Sequence, residues 1–523
     1  MGRRALRLLL FVPPALAVGL LILGDSSAGI EPDSTVQLAS ASAPKVELTS
    51  AAHDILPADF DLIGLSDGPK YVGAAGCAAA NCHGGNGLNG VQGSEHSIWI
   101  QKDPHAGAYD VLLNNQSKQI IKLLKASPRY EKMLANRGAH QTRLCLDCHS
   151  VAPHESRLAH GHKFSMTDGV SCEGCHGPAE KWLDPHKRPD WEDIKTAYGK
   201  DRLESELGFY DTETLSTRAR VCAECHIGSK DKEVNHDLMA AGHPRLTFEM
   251  SAYFDNLPAH WDVHKEEAMH PNLDVKLWAH GQLAVAERTC ELLEKRASDP
   301  YKVWPEFTET GCYACHHNLQ PSNWRQERGF GTRRPGGYPW GTWQFPVLEM
   351  IAPHLLPGEA NPFLKENGAY RQLQNVMSRP IPNKKDVQEH TKDLLDELRK
   401  LSDALEEKSY SEEEIRSLLQ AVTGSEGQDL VGRNWDAAAQ VYLAAVALYQ
   451  GLADAKGGNV LADDEPIFEH FRAIRDLLKF PEETTDSGEK AIYNSPKTFE
   501  ETAPNPVDGI KSQLDGINQA VKP

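Results

Sequence analysis

Positive charge is scarce in this 523-residue chain: 55 Lys and Arg stand against 74 Asp and Glu, a formal net charge of −19. That balance repels phosphate backbones and anionic lipid, and argues against nucleic-acid binding. Apolar residues are few for the length. They make up 40% of the chain, or about 45% with Gly counted and Tyr left out, the low edge of globular composition, enough to exclude wholesale disorder and too little for a polytopic membrane protein. Signatures of side-chain catalysis are missing as well: the chain has no nucleophile triad, no phosphate-binding glycine loop and no His-Glu-x-x-His zinc motif. Methionine is sparse, at eight residues, which matters below for metal ligation. The length allows about three domains.

What the chain does have is 11 Cys and 23 His, in a pattern. Cys-x-x-Cys-His occurs four times, at Cys145/Cys148/His149, Cys172/Cys175/His176, Cys222/Cys225/His226 and Cys312/Cys315/His316. Composition predicts about 0.01 such matches by chance. The chemistry that needs this spacing is haem attachment: two thiols one helical turn apart add to the porphyrin vinyl groups, and the adjoining His reaches the iron as proximal ligand. Zinc sites, redox dithiols and disulfides also use Cys-x-x-Cys, but give no reason for a His after the second Cys each time. A further group, Cys77/Cys82/His83 in CAAANCHGG, has four residues between its thiols. It reads as a fifth haem site, with a Cys77–Cys82 disulfide as the alternative. Five covalently bound haems c use ten cysteines and leave Cys290, in an apolar helical pattern, as a buried thiol.

The second axial ligand of a low-spin c-type haem is usually His or Met, and eighteen His lie outside the motifs. Bis-His coordination is therefore expected. The distal candidates are His105 (after Pro104 at a helical start), His96 (beside Trp99), His243 (between Gly242 and Pro244) and His186 (ten residues after His176). His140, His154, His160, His162 and His317 are weaker candidates, and His280 is a ligand or helix surface. His53, His390 and His470 read as bystanders.

Along the chain, Arg3, Arg4 and Arg7 precede the apolar run Leu8–Leu23, so residues 1–28 read as an export signal peptide or an uncleaved N-terminal anchor. Cleavage would take the charge from −19 to −21. Residues 29–69 read as a flexible linker, and 70–260 as a multihaem cytochrome c domain with four haem motifs. Residues 261–380 carry a helix, the last motif and a Gly/Pro/Trp-rich loop whose Trp340 and Trp343 suit core packing. Residues 381–480 form a helical C-terminal region, and 481–523 a polar, poorly ordered tail. The fold class expected is mostly α, with little regular β, loops packed around haems, and a C-terminal helical bundle.

YVGAAGCAAANCHGG with SEHSIWIQKDPHAGAY, GVSCEGCHGPAEKW and AAGHPRLTFEM resembles the multihaem cytochromes of the c-554 type. That family includes a small tetrahaem carrier of hydroxylamine-oxidising bacteria and is distantly related to hydroxylamine oxidoreductase and pentahaem nitrite reductase. The likeness covers roughly residues 70–260. It implies His105, His243 and His186 as distal ligands, and haems packed in stacked and perpendicular pairs. The expected role is an exported, periplasmic electron-transfer protein, free or tethered, whose partners are redox proteins with basic docking faces. The alternative is a nitrogen-oxide oxidoreductase with one five-coordinate haem, at His83 or His316. The family's carrier keeps one such haem, but the Cys-x-x-Cys-Lys motif of the nitrite reductases is absent here.

Overall fold

The computed structural model describes residues 68–86, 91–151, 161–230, 232–317, 333–358, 361–456, 465–479, 482–484, 490–492 and 505–522. The signal or anchor segment, nearly all of the linker, and His53, His154 and His160 lie outside these. Among the described residues no helix is long and apolar enough to cross a membrane.

The chain is mostly helical. Its haem-motif half consists of short helices: α1 (Glu95–Lys102), α2 (Asn115–Lys125), α3 (Pro128–Leu134), α4 (Arg143–His149), α5 (Cys172–His176), α6 (Trp191–Arg202), α7 (Leu215–His226), α8 (His236–Ala240), α9 (Met250–Asn256) and α10 (Val263–Met269). A long helix follows, α11 (Leu273–Ser298), and then α12 (Pro346–Leu355), α13 (Ala369–Met377), α14 (Lys384–Glu406), α15 (Glu412–Thr423), α16 (Ser425–Val431), α17 (Trp435–Ala455), α18 (Glu465–Leu478) and α19 (Asn505–Ala520). One antiparallel ribbon pairs β1 (Glu482–Thr484) with β2 (Lys490–Ile492).

The C-terminal bundle follows from its sequence patterns. In α14 the buried Val387, Thr391, Leu394, Leu398, Leu401 and Leu405 recur at helical spacing. Asn383 caps this helix by accepting from the Lys385 and Asp386 N–H groups. Ser411 and Glu414 form a reciprocal capping box at the start of α15. α17, rich in Ala, is buried nearly all round, as a central helix should be. Trp340 and Trp343 are buried in the same core, and the Trp343 indole donates to Phe248 O at 2.9 Å.

The helix α11 joins the two halves. Trp278, Cys290 and Leu293 belong to the bundle core, whereas Leu277 and Val285 pack with Leu215, Ala219 and Ala223 of α7. The bundle core thus takes in α11, which precedes the region 381–480 read as helical, and α7 is braced where it ends on His226. Cys290 is fully buried. His280 lies in neither of its expected places: it is 2% exposed inside the bundle, its Nε2 3.8 Å from Glu406.

The tail differs from the expectation too. Val507, Ile510, Leu514 and Ile517 of α19 are all buried in the bundle core, at spacings of three and four residues. Asn518 Nδ2 donates to Gln420 O and Thr423 Oγ1, both at 2.9 Å, fixing α19 to α15. Two glycines and many polar residues conceal this stripe in the sequence.

Candidate functional site: a cavity shared by four cysteine-histidine motifs

Three motifs lie on helices, and each helix ends on its histidine: His149 closes α4, His176 closes α5 and His226 closes α7. The i and i+3 cysteines consequently share a face. Gly177 stops α5 with φ 77°, where an added Cβ would meet Gly208 O at 2.0 Å, so only glycine fits. In the first motif the four intervening residues fold into turns. Cys82 N–H donates to Ala79 O at 2.9 Å and His83 N–H to Cys77 O at 3.3 Å, which brings the two cysteines and His83 round one small loop. Cys77 and Cys82 are both free thiols, without the disulfide that was the alternative.

These four motifs line one cavity of about 2540 Å³. A single-ligand pocket usually measures about 300–1,000 Å³, so there is room for several large flat groups. The Cys172 thiol lowers the pKa of Cys77, and the Cys148 thiol lowers that of Cys225, so the thiols of each pair lie near each other. The first motif therefore adjoins the third, and the second adjoins the fourth. The last motif is separate: Cys312–Ala314 is a single 3-10 turn, and Cys315 is exposed.

Imidazole rings face one another across this framework at a repeated distance. His83 and His186 have ring centroids 6.2 Å apart at 18°, His105 and His226 are 6.0 Å apart at 78°, and His236 and His316 are 6.1 Å apart at 22°. Two imidazoles bound on opposite sides of one metal at about 2.0–2.1 Å, each ring centre about 1.2 Å behind its nitrogen, would stand about 6.4 Å apart. The observed pairs come close to the separation that one metal between them would set.

Hydrogen bonds hold these rings with Nε2 available. His83 Nδ1 bonds Glu95 at 2.9 Å and His105 Nδ1 bonds Asp103 at 2.8 Å, each an N–H donating to a carboxylate. His149 Nδ1 reaches Ala108 O at 2.9 Å, His243 Nδ1 reaches Pro244 O at 2.8 Å, and His186 Nδ1 lies 3.3 Å from Trp182 O. Metal-bound imidazoles use this second nitrogen in the same way. His243 sits in the turn formed by Gly242, whose φ is 111°. His176 Nδ1 is 3.4 Å from Thr212 Oγ1, and His260, also on the cavity wall, has its Nδ1 3.3 Å from Pro258 O.

Burial sets the electrostatics. It pushes His226 down to about 3 and His176 down to about 4, keeping both neutral, the form that ligates metal. Burial would also lower His105, but the Asp103 carboxylate prevails and raises it. His83 is raised by Glu95.

Of the distal candidates, His105 and His186 each lie about 6 Å, ring centre to ring centre, from a motif histidine, and His243 shares the cavity with His149. His96 is on the cavity wall against Trp99, ring centroids 5.5 Å apart, and is not among the facing pairs. His140 packs by Tyr109, and His470 bonds Gln513 at 2.6 Å in the bundle. The sequence reading did not single out His236 or His260. No glycine or proline next to His236 marks it, and its partner lies 80 residues away.

Residues 77–177 match the family described as cytochrome c554 and c-prime. No curated protein and no solved structure matches the chain.

Proposed function

We propose, on the premise that residues 77–177 belong to a c554-type cytochrome family, that this chain is an exported pentahaem electron-transfer protein with mostly bis-His haems. As a c-type cytochrome it carries covalent haem and serves electron transfer. The observation that carries the finer reading is the convergence of four cysteine-histidine motifs on one cavity, with facing imidazoles about one metal's width apart.

Bound haem supplies a reversible one-electron iron couple. The protein's part is to attach, orient and shield. Each cysteine pair would attach a porphyrin, and the adjoining histidine would hold its iron. His105 and His186 would supply the second imidazole for the irons held by His226 and His83, and His243 the one for the iron held by His149. Asp103 and Glu95 fix the rings of His105 and His83 and place negative charge behind them, favouring the oxidised metal. Phe248 and Tyr253 pack on the His226 ring at 5.5 and 4.9 Å and exclude water. The nearness of cysteines from different motifs supports close packing of neighbouring haems.

The two centres left most open to a small molecule by the sequence, His83 and His316, each face a second imidazole, which favours conduction over substrate binding. The surface ends of the path would be the exposed Cys82 and Cys315. A chain of net charge −19 suits partners with basic docking faces, mainly through the rate of encounter. The test is the reduced spectrum of the matured protein with and without carbon monoxide. An unaltered spectrum supports saturated irons; a shift overturns the reading in favour of an open, substrate-binding iron.

A further inference from the structure

We infer that His236 is the distal iron ligand of the last haem, the one attached at Cys312 and Cys315 with His316 as proximal ligand. This rests on the pentahaem reading above and lies outside the segment that matches the family.

The first support is geometric. The His236 and His316 rings are 6.1 Å apart and inclined by 22°, the same separation as the His83/His186 and His105/His226 pairs. At that distance two imidazoles fit a metal held between them.

The second support is the framework that holds them. His236 opens α8, and its backbone N–H donates to Glu306 Oε1 at 2.9 Å. The same oxygen accepts from Phe307 N at 2.9 Å and Thr308 N at 3.2 Å, at the turn leading into Cys312. One side chain therefore ties the start of α8 to the approach of the motif. Arg296, 1% exposed, repeats the connection one layer deeper, its guanidinium bonding Glu233 at 2.8 Å and Glu309 at 2.6 Å. Gly311 N donates to Pro339 O and Gly341 N to Glu309 O, closing the motif's own loop. Asn235 caps α8 by accepting from Leu238 N at 3.0 Å. Both rings are thus presented by segments locked to each other through residues 233, 296, 306 and 309. This is the rigidity a ligand pair requires, since misplacing either nitrogen would leave the iron five-coordinate.

The test uses the full matured chain and a His236→Gly variant, with haem counted by intact mass and peptide mapping. The variant should keep all its haems but turn one of five from low-spin to high-spin and carbon monoxide-binding. Added imidazole should restore the low-spin spectrum, a rescue that a merely structural histidine would not show. Five haems with a variant spectrum identical to wild type would overturn the assignment of His236. A wild-type chain with Cys312 and Cys315 unmodified would overturn the pentahaem reading itself, and the two failures are told apart by mass.

Discussion

Replacing Asp103 by Asn tests how the protein sets the potential of one haem. The Asp103 side chain is 6% exposed, and its Oδ1 lies 2.8 Å from His105 Nδ1. Adding about 2.2 Å across the imidazole and about 2.0 Å for the metal bond puts the carboxylate about 7 Å from an iron on Nε2. Unit charges at about 7 Å, with an effective dielectric of about 20, interact by about 2.4 kcal/mol. For a one-electron couple, where a tenfold change is about 59 mV, this corresponds to about 100 mV. The carboxylate favours the oxidised iron, so Asp103→Asn should raise that haem's reduction potential by up to this amount. The Asn carbonyl keeps the ring's hydrogen bond, so ligation should survive. The assay is a redox titration followed by electron paramagnetic resonance. The near-perpendicular rings of His105 and His226, at 78°, should give a more anisotropic low-spin signal than the near-parallel pair His83/His186 at 18°. A potential for the anisotropic species equal to wild type would refute the placement of Asp103 behind that iron.

The Glu287 carboxyl is pushed up to about 7 by burial, with Glu291 adding to it, from an ordinary 4.5. The folded state then holds a proton that the unfolded chain gives up between pH 4.5 and 7, so this site's stability declines as pH rises through that window. Glu287→Gln should remove up to about 3 kcal/mol of that decline; denaturant melts at pH 5 and pH 8 check it, and equal pH dependence in both proteins would contradict it. Leu514→Ala, at a fully buried position of α19, should cost about 2–5 kcal/mol. A loss within about 0.5 kcal/mol in urea unfolding would place α19 outside the core. The Cys77→Ser/Cys82→Ser double variant should lose one haem by mass and keep the rest; an unchanged mass would remove the first motif from the set.

The cysteine-histidine motifs stood out because covalent haem attachment would dictate their spacing, and no packing argument was needed to find Cys145 or His226. His105 and His243 drew attention because turn-forming residues flank them, Pro104 and Gly242 with Pro244, and such turns hold a ring rigidly, while His186 did so by lying ten residues after His176. His236 and His260 were not, since each acquires meaning only from a residue or cavity wall distant in sequence. His96, also picked out by its setting, lines the cavity with its ring packed on the Trp99 indole. In the bundle, the regular stripe of α14 announced itself, whereas the Gly- and Asn-containing α19 resembled a solvated tail. Its helix depends on the tertiary contacts of Leu514 and Ile517 more than on local propensity. The place of α11 in both halves was likewise invisible, because it buries even polar residues such as Lys276, Gln282 and Arg288, so the sequence pattern does not reveal what covers it.

The central claim is five covalent haems in one chain, four around a common cavity and one beside it. Intact mass spectrometry of the protein matured by a c-type haem attachment system tests it most directly. The account predicts a mass increased by five haems, with Cys290 the one unmodified cysteine; four haems or fewer would contradict it.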